Sequence, residues 1–375
     1  MQDLPRAFLM LLELPYHAVM LLSSQKNFAR NPLIGSRLLN RLGLHIGRKR
    51  LAGAMTSIRR ARLRKSLDDE LVERFDRQGY IRINDFLCAE DFASIKKELL
   101  SNTWIFLEMR QPSTATLRIN LDASLCRDRY PAIQKLLVNP ALRSWLSYAA
   151  GYPGEPIIAI QVIRSGGVAS GHDPQSDWHA DTFHSTSKAW LFLHDVAENE
   201  GPFAYIPGSH RLTNKRLLWE KEQSLEAADN LNVYHRHGSF RASEIELEQM
   251  GYSIMETMAV AGNTLVVGDT SGFHRRTPSP GPTTRLEVYA SLRRNPFFAG
   301  FFPHIMALPW VRDHWAELAF SYFQRKSVSK KGSAWVPSKP RKLNTDEVDK
   351  LMSMKGDKQQ GQAKAGSLEY QGRVH

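Results

Sequence analysis

Cysteine is nearly absent: among 375 residues only Cys88 and Cys126 occur. They form no CxxC pair and no disulfide framework, so a reducing compartment is the natural setting. No uninterrupted apolar run reaches the roughly 18–20 residues that a membrane span needs. The most apolar stretch, Phe8 to Leu22, is broken by Glu13, Pro15 and His17. It also lacks a basic leader with a small-residue cleavage site, so a secretory signal is not expected and the chain reads as cytoplasmic. No repeat of solenoid length is visible.

Charge is lopsided. The net charge is +12, yet residues 1–65 hold 13 Lys/Arg against 2 Asp/Glu, residues 66–320 hold 25 against 31, and residues 321–375 hold 12 against 5. The middle is therefore an ordinary, mildly acidic globular segment, with 42% hydrophobic residues over the whole chain to furnish a core. The basicity belongs to the ends and does not describe an active site. Three zones follow: a basic, apolar N-terminal extension (1–65), a packed domain (66–326), and a basic tail (327–375) whose final Lys/Gln/Gly/Ser composition predicts disorder.

In the first zone, Ile34, Leu38, Leu39, Leu42 and Ile46 fall on one helical arc, with Arg37, Arg41 and Arg48 beside it. Gly35, Gly43 and Gly47 weaken that helix. A basic amphipathic helix can lie on an anionic membrane surface, or pack on the domain with its arginines in water. Nucleic acid is a poor partner, because residues 27–65 are almost devoid of aromatic stacking groups.

In the second zone, Leu67–Phe75 is amphipathic with Gly79 as terminator, Tyr80–Phe86 alternates like a strand, and Ala89–Leu100 resumes a helix. Short strand-like runs follow at Ile157–Ile163, Ala189–Val196, Phe203–Ile206, Thr264–Val267 and Arg285–Leu292. Many short strands between Gly/Pro/Asn turns predict a sandwich or barrel preceded by helices, a mainly β or α+β class.

The chemistry-bearing pattern is WHADTFH, residues 178–184, with a distal histidine in GNTLVVGDTSGFHRR. On an extended strand His179 and Asp181 share a face. With His274 they could make the two-histidine, one-carboxylate set of non-haem iron(II) oxygenases, which leaves positions open. An HxD triplet by itself more often marks a satisfied core histidine than a ligand, so the surroundings decide. The stretch AWLFLHDVAENEGPFAYIPGSHR, with Trp190, Asn199, Gly201, Pro207, Gly208, Ser209 and His210, resembles the phytanoyl-CoA dioxygenase family. So do LVERFDRQGYIRINDFL and GNTLVVGDTSGFH, and the resemblance runs from about Leu67 to Pro296.

The resemblance implies a double-stranded β-helix, the jelly-roll core of cupin-like proteins, with flanking helices. It implies iron(II) held by His179, Asp181 and His274, with 2-oxoglutarate and dioxygen as cosubstrates. It also implies that Arg285, eleven residues after His274, pairs with the far carboxylate of 2-oxoglutarate, as a guanidinium does well. Trp190 matches a family tryptophan near the cosubstrate, and Gln161 on the preceding strand could donate a hydrogen bond to it. Arg285, Glu287, Tyr289 and Ser291 alternate with Leu286, Val288, Ala290 and Leu292, a polar face against an apolar one.

One departure concerns Arg276: many family members carry Ser or Thr two residues after the distal histidine. Arg275 and Arg276 could instead face an anionic substrate. Trp178, Thr182 and His184 are candidates for the substrate pocket. Because Asp181 is present, hydroxylation of an unactivated C–H bond is expected rather than halogenation. The substrate is a small molecule for which a lipid, glycolipid or acyl thioester fits the basic, apolar ends. A cupin-type metal enzyme that does not use 2-oxoglutarate and a non-catalytic jelly-roll binding module are the alternatives, and Arg285 discriminates among the three.

Overall fold

Alternation along Thr283–Leu292 (β13) organises the domain: Val288 and Ala290 enter the main core, while Arg285 and Tyr289 line a cavity on the other side. A computed structural model describes residues 6–298 apart from 112–113, 122–125, 127 and 166–172, and then 308–315, 318, 321 and 335–343. The larger sheet has eight strands in the order β1 (Tyr80–Ile83), β11 (Leu265–Asp269), β7 (Ser187–Phe192), β13, β5 (Ile157–Ser165), β4 (Thr114–Leu121), β3 (Leu107–Arg110) and β14 (Val336–Pro337). The smaller has five: β10 (Glu256–Thr257), β8 (Phe203–Tyr205), β12 (His274–Arg276), β6 (Trp178–His179) and β9 (Arg241–Ala242). Every pairing within them is antiparallel. The expected mixed α+β class and double-stranded β-helix are what the chain forms.

The two faces of the larger sheet carry different loads. One buries Ile158, Ile160, Leu191, Val267 and Val288 against the helix Pro140–Ala150, through Trp145, Leu146 and Ala149. Each such aliphatic side chain stabilises the fold by about 1.5–3 kcal/mol on full burial. The other face looks at the smaller sheet across an aromatic layer of Trp190, Phe192, Phe203 and Tyr205.

Helix α4 (Asp69–Gln78) forms where its ends dictate. Asp68 accepts the Leu71 N–H at 2.9 Å, and Gly79 closes it at φ +87°. Helix α5 (Ala89–Ser101) follows β1 as expected.

The N-terminal residues differ from a single amphipathic helix. Helices α1 (Arg6–Met20), α2 (Arg37–Arg41) and α3 (Leu44–Leu63) are separate, because Gly43 takes φ +100° between the last two. The predicted arc is thereby split: Ile34 and Ile46 are buried, while Leu38 and Leu42 are exposed. Arg48, Lys49 and Arg59, on α3, are buried too. Lys49, His45 and Arg216 converge on the buried carboxylate of Glu220 at 2.8–2.9 Å, joining α3 to the helix Asn214–Glu226. Part of the expected tail is also paired: β14 lies on β3, and β15 (Arg341–Lys342) on β2 (Thr103–Trp104). Residues 344–375 lie outside the described residues. Among the described residues no helix is long and apolar enough to cross a membrane.

Candidate metal centre and cosubstrate cavity

Strand pairing puts the two histidines side by side. β6 and β12 are antiparallel neighbours with His179 opposite His274, and the ring centroids are 4.3 Å apart. Asp181 follows just beyond β6, where its N–H donates to the Thr270 carbonyl at 2.9 Å. One donor atom from each of His179, Asp181 and His274 lies within 4.8 Å of the others.

The backbone selects the tautomers. His179 Nδ1 lies 2.8 Å from the Asp177 carbonyl and His274 Nδ1 lies 3.0 Å from the Gly272 carbonyl. A carbonyl only accepts, so each Nδ1 carries the proton and each Nε2 keeps its lone pair. Both Nε2 atoms are buried and lack a hydrogen-bond partner among the described residues. Two orphaned buried acceptors beside a carboxylate suit a divalent cation, because burial without a partner is otherwise unfavourable.

The electrostatics fit the same purpose. Burial, with the neighbouring His274, holds His179 well below its ordinary range, and burial takes His274 down to about 4. Both rings are neutral near pH 7 and available as ligands. Burial pushes the Asp181 carboxyl up, but Lys188, His274 and His179 outweigh it and hold Asp181 well below the usual range. Lys188 Nζ sits 2.7 Å from Asp181 Oδ2.

A cavity of about 230 Å³ opens beside the triad, lined by His179, His274, Lys188, Trp190, Arg276 and Arg285 among others. A polar chain runs along its wall. Arg118 Nε donates to Gln161 Oε1 at 2.7 Å, and Gln161 Nε2 donates to Glu287 Oε1 at 2.7 Å. Arg285 Nε lies 2.8 Å from Glu287 Oε2, close enough for an ion pair though not aligned as a hydrogen bond, and Arg285 Nη1 donates to the Gly201 carbonyl at 2.7 Å. Arg276 shares the His274 face of β12 and pairs with Asp173 at 2.9 Å. Trp190 packs against Phe203 with ring centroids 4.3 Å apart and planes tilted by 34°.

Of the other sequence candidates, Arg275 also borders this cavity, whereas Trp178, Thr182 and His184 do not line it. Trp178 is packed in a separate apolar cluster with the Arg275 guanidinium 4.3 Å over its ring, and Arg275 also reaches Glu244 at 3.3 Å. Thr182 is buried with its hydroxyl unpartnered among the described residues. His184 lines a different cavity of about 540 Å³ formed by α3, His210 and Ser271. That cavity is larger, but the smaller one is lined by His179 and His274, and donor chemistry rather than size points to the candidate centre.

Sequence reasoning missed Lys188, Arg118 and Lys26. Lys188 and Trp190 are two apart on one strand, and Arg118 interrupts the apolar run of β4; those alternations were the available signals. Lys26, whose ammonium donates to the Asp181 carbonyl, had none, being 155 residues away. Burial, and then Arg293, takes this lysine down to about 7.

The family model described as Phytanoyl-CoA dioxygenase (PhyH) matches residues 75–263, half of the chain. No curated protein matches. Among solved structures, the epimerase SnoN in complex with Fe3+, alpha-ketoglutarate and nogalamycin RO is 17% identical, covering 60% of this chain and 82% of its own, with a TM-score of 0.39. HygX from Streptomyces hygroscopicus, with nickel, 2-oxoglutarate and hygromycin B bound, is 16% identical over 60% of this chain and 86% of its own, with a TM-score of 0.37. AviO1 from Streptomyces viridochromogenes Tue57 is 16% identical over 60% and 95%, with a TM-score of 0.35.

Proposed function

Because this chain belongs to the phytanoyl-CoA dioxygenase family and is an enzyme of the iron(II)- and 2-oxoglutarate-dependent oxygenase class, we propose that His179, Asp181 and His274 hold its iron and that Arg285 anchors its cosubstrate. The reaction is hydroxylation of an unactivated C–H bond in a small molecule. One observation carries this reading: two buried, unpartnered Nε2 lone pairs converge with a carboxylate within 4.8 Å. Bound iron(II), with 2-oxoglutarate and dioxygen, supplies the oxidant for the C–H bond and leaves succinate and carbon dioxide.

The chain's own residues position and exclude. The Asp177 and Gly272 carbonyls fix the two imidazoles, and Lys188 orients the Asp181 carboxylate. Glu287 holds the Arg285 guanidinium and Gln161 holds Glu287, so Gln161 acts on the anchor from behind, and Arg118 steadies Gln161. Trp190 and Phe203 wall the cavity against water.

The test is an oxygen-free titration of the iron(II)-loaded protein with 2-oxoglutarate, recorded in the visible range. Chelation gives a weak charge-transfer band that His179→Ala abolishes. Iron binding without the band would favour a cupin enzyme that does not use 2-oxoglutarate; no iron binding would favour a binding module.

For the substrate, exposed Leu38 and Leu42 beside exposed Arg37 and Arg41, with Tyr16 and Val19 also exposed on α1, favour a lipid or lipid-linked molecule met at an anionic membrane surface. Flotation with anionic vesicles tests that: wild-type protein floats and Leu38→Asp/Leu42→Asp stays behind. Failure of the wild-type protein to float sinks the membrane reading.

A further inference from the structure

Residues 335–343 run along the edge of the larger sheet. β14 pairs with β3 in the register Val336 opposite Glu108 and Pro337 opposite Leu107, and β15 pairs with β2. Proline suits that place, because an edge strand leaves one side free of ladder bonds. Ser338 ties the crossing between the two strands to Phe106: its N–H donates to the Phe106 carbonyl at 2.7 Å, and its hydroxyl accepts the Phe106 N–H at 3.1 Å. The Arg341 guanidinium lies 5.1 Å over the Phe106 ring, and Leu343 is buried in the main core. Backbone pairing, a ring contact and core burial thus fix the segment on the sheet.

Register decides which face its side chains join. Residues opposite each other on neighbouring strands share a face. Pro337 opposes Leu107, Leu107 opposes Arg118, Arg118 opposes Gln161, and Gln161 opposes Glu287. They form one row across β14, β3, β4, β5 and β13, on the face where Arg118 and Gln161 line the cosubstrate cavity. Trp335 stands two residues before Pro337 and falls on the same face by alternation. Its ring lies 4.8 Å from the Arg118 guanidinium, and the Tyr289 ring lies 4.5 Å from it.

Arg118 is a long side chain whose guanidinium has many rotamers to lose, and a ring beside it removes some of that freedom. Its Nε has to point along the row to reach Gln161. Gln161 holds Glu287, and Glu287 pairs with Arg285. A change at Trp335 is therefore passed from Arg118 to the Arg285 guanidinium through contacts that are each 2.7–2.8 Å long.

We propose that Trp335 is a positioning residue for the cosubstrate: the C-terminal edge strand carries it to Arg118, and through Arg118 and Gln161 it keeps the Glu287–Arg285 pair in the shape that binds 2-oxoglutarate. This role rests on the reading of Arg285 as the cosubstrate anchor. It makes a segment beyond the packed domain of the sequence a working part of the site.

The anaerobic charge-transfer titration of the full-length, iron(II)-loaded protein tests it. Trp335→Ala should bind 2-oxoglutarate about two- to fivefold more weakly, the fold-change that matches one cation–π contact. Iron(II) affinity, set by the triad, should stay the same. Trp335→Phe keeps a ring and should recover most of the loss. In an Arg118→Gln background, Trp335→Ala should have no further effect, because the path through Arg118 is already cut. Unchanged 2-oxoglutarate affinity in Trp335→Ala overturns the proposal. So does an equal further loss in the Arg118→Gln background, which would place Trp335 on another path. A parallel loss of iron(II) affinity also overturns it, since that marks a general loosening of the fold. The wild-type band separates two failures: a band with unaltered affinity in the variant sinks only the role of Trp335, whereas a missing wild-type band sinks the 2-oxoglutarate reading and this one with it.

Discussion

Replacing Arg285 by glutamine removes one guanidinium from the cosubstrate cavity and strands one carboxylate behind it. Glu287 is fully buried and is held by Arg285 at 2.8 Å and by Gln161 at 2.7 Å. Two effects follow, with different signatures. The lost charge-assisted contact to the cosubstrate is worth about 1.5–3 kcal/mol, so 2-oxoglutarate binds roughly 10- to 150-fold more weakly. Separately, a buried ion pair that loses one partner destabilises the fold by about 3–5 kcal/mol. Adding Glu287→Gln removes the stranded charge but restores no guanidinium. The double variant therefore recovers most of the stability while 2-oxoglutarate affinity stays at least about tenfold weak. Denaturant unfolding reads the stability and the anaerobic charge-transfer titration reads the 2-oxoglutarate affinity. Wild-type affinity in the single variant would refute the anchor role, and a double variant no more stable than the single one would refute the Arg285–Glu287 coupling.

Glu220→Gln leaves Lys49 and Arg216 as buried cations with a weaker acceptor and should cost about 3–5 kcal/mol in unfolding free energy, together with faster proteolysis of α3; unchanged stability would remove the basis for α3 docking through that carboxylate. Gly272→Ala places a Cβ 2.0 Å from Tyr205 Oη, and Gly272 also supplies the carbonyl that fixes His274. That variant should lose iron affinity as well as stability, which metal titration and unfolding check together. Burial takes His184 to about 3 and His274 to about 4, against 6.5 for the free side chain. The unfolded chain therefore binds more protons between those values, and the metal-free protein should lose stability as pH falls from about 6.5 towards 4. A shallower slope in His184→Gln is expected, and an identical slope would count against a buried neutral His184.

Much of the site was legible because its chemistry sits in local spacing. His179 and Asp181 are two apart, Arg285 lies on an alternating strand, and the strands at 157–163, 189–196, 203–206, 264–267 and 285–292 announced themselves through apolar runs bounded by turns. The family model ends at residue 263, so the place of His274 was a matter of motif and then of β6–β12 pairing. What spacing conceals is which neighbour takes a side chain. Arg275 and Arg276 are adjacent and both border the cavity, yet the Arg275 guanidinium lies over Trp178 while Arg276 pairs with Asp173, because successive residues of a strand point to opposite faces.

The sequence alone therefore determined the class of fold, the helices and strands with strong caps or alternation, and the candidate iron and cosubstrate residues, since each follows from contacts within a few positions or from an ordered set of motifs. Only the tertiary structure decided that Arg48 and Lys49 are buried rather than solvated, that Gln161 is occupied by Arg118 and Glu287, and that Lys26 reaches Asp181. These are pairings across tens to more than a hundred residues. They are set by which surfaces must be covered and which buried charges must find partners, and no local pattern encodes them.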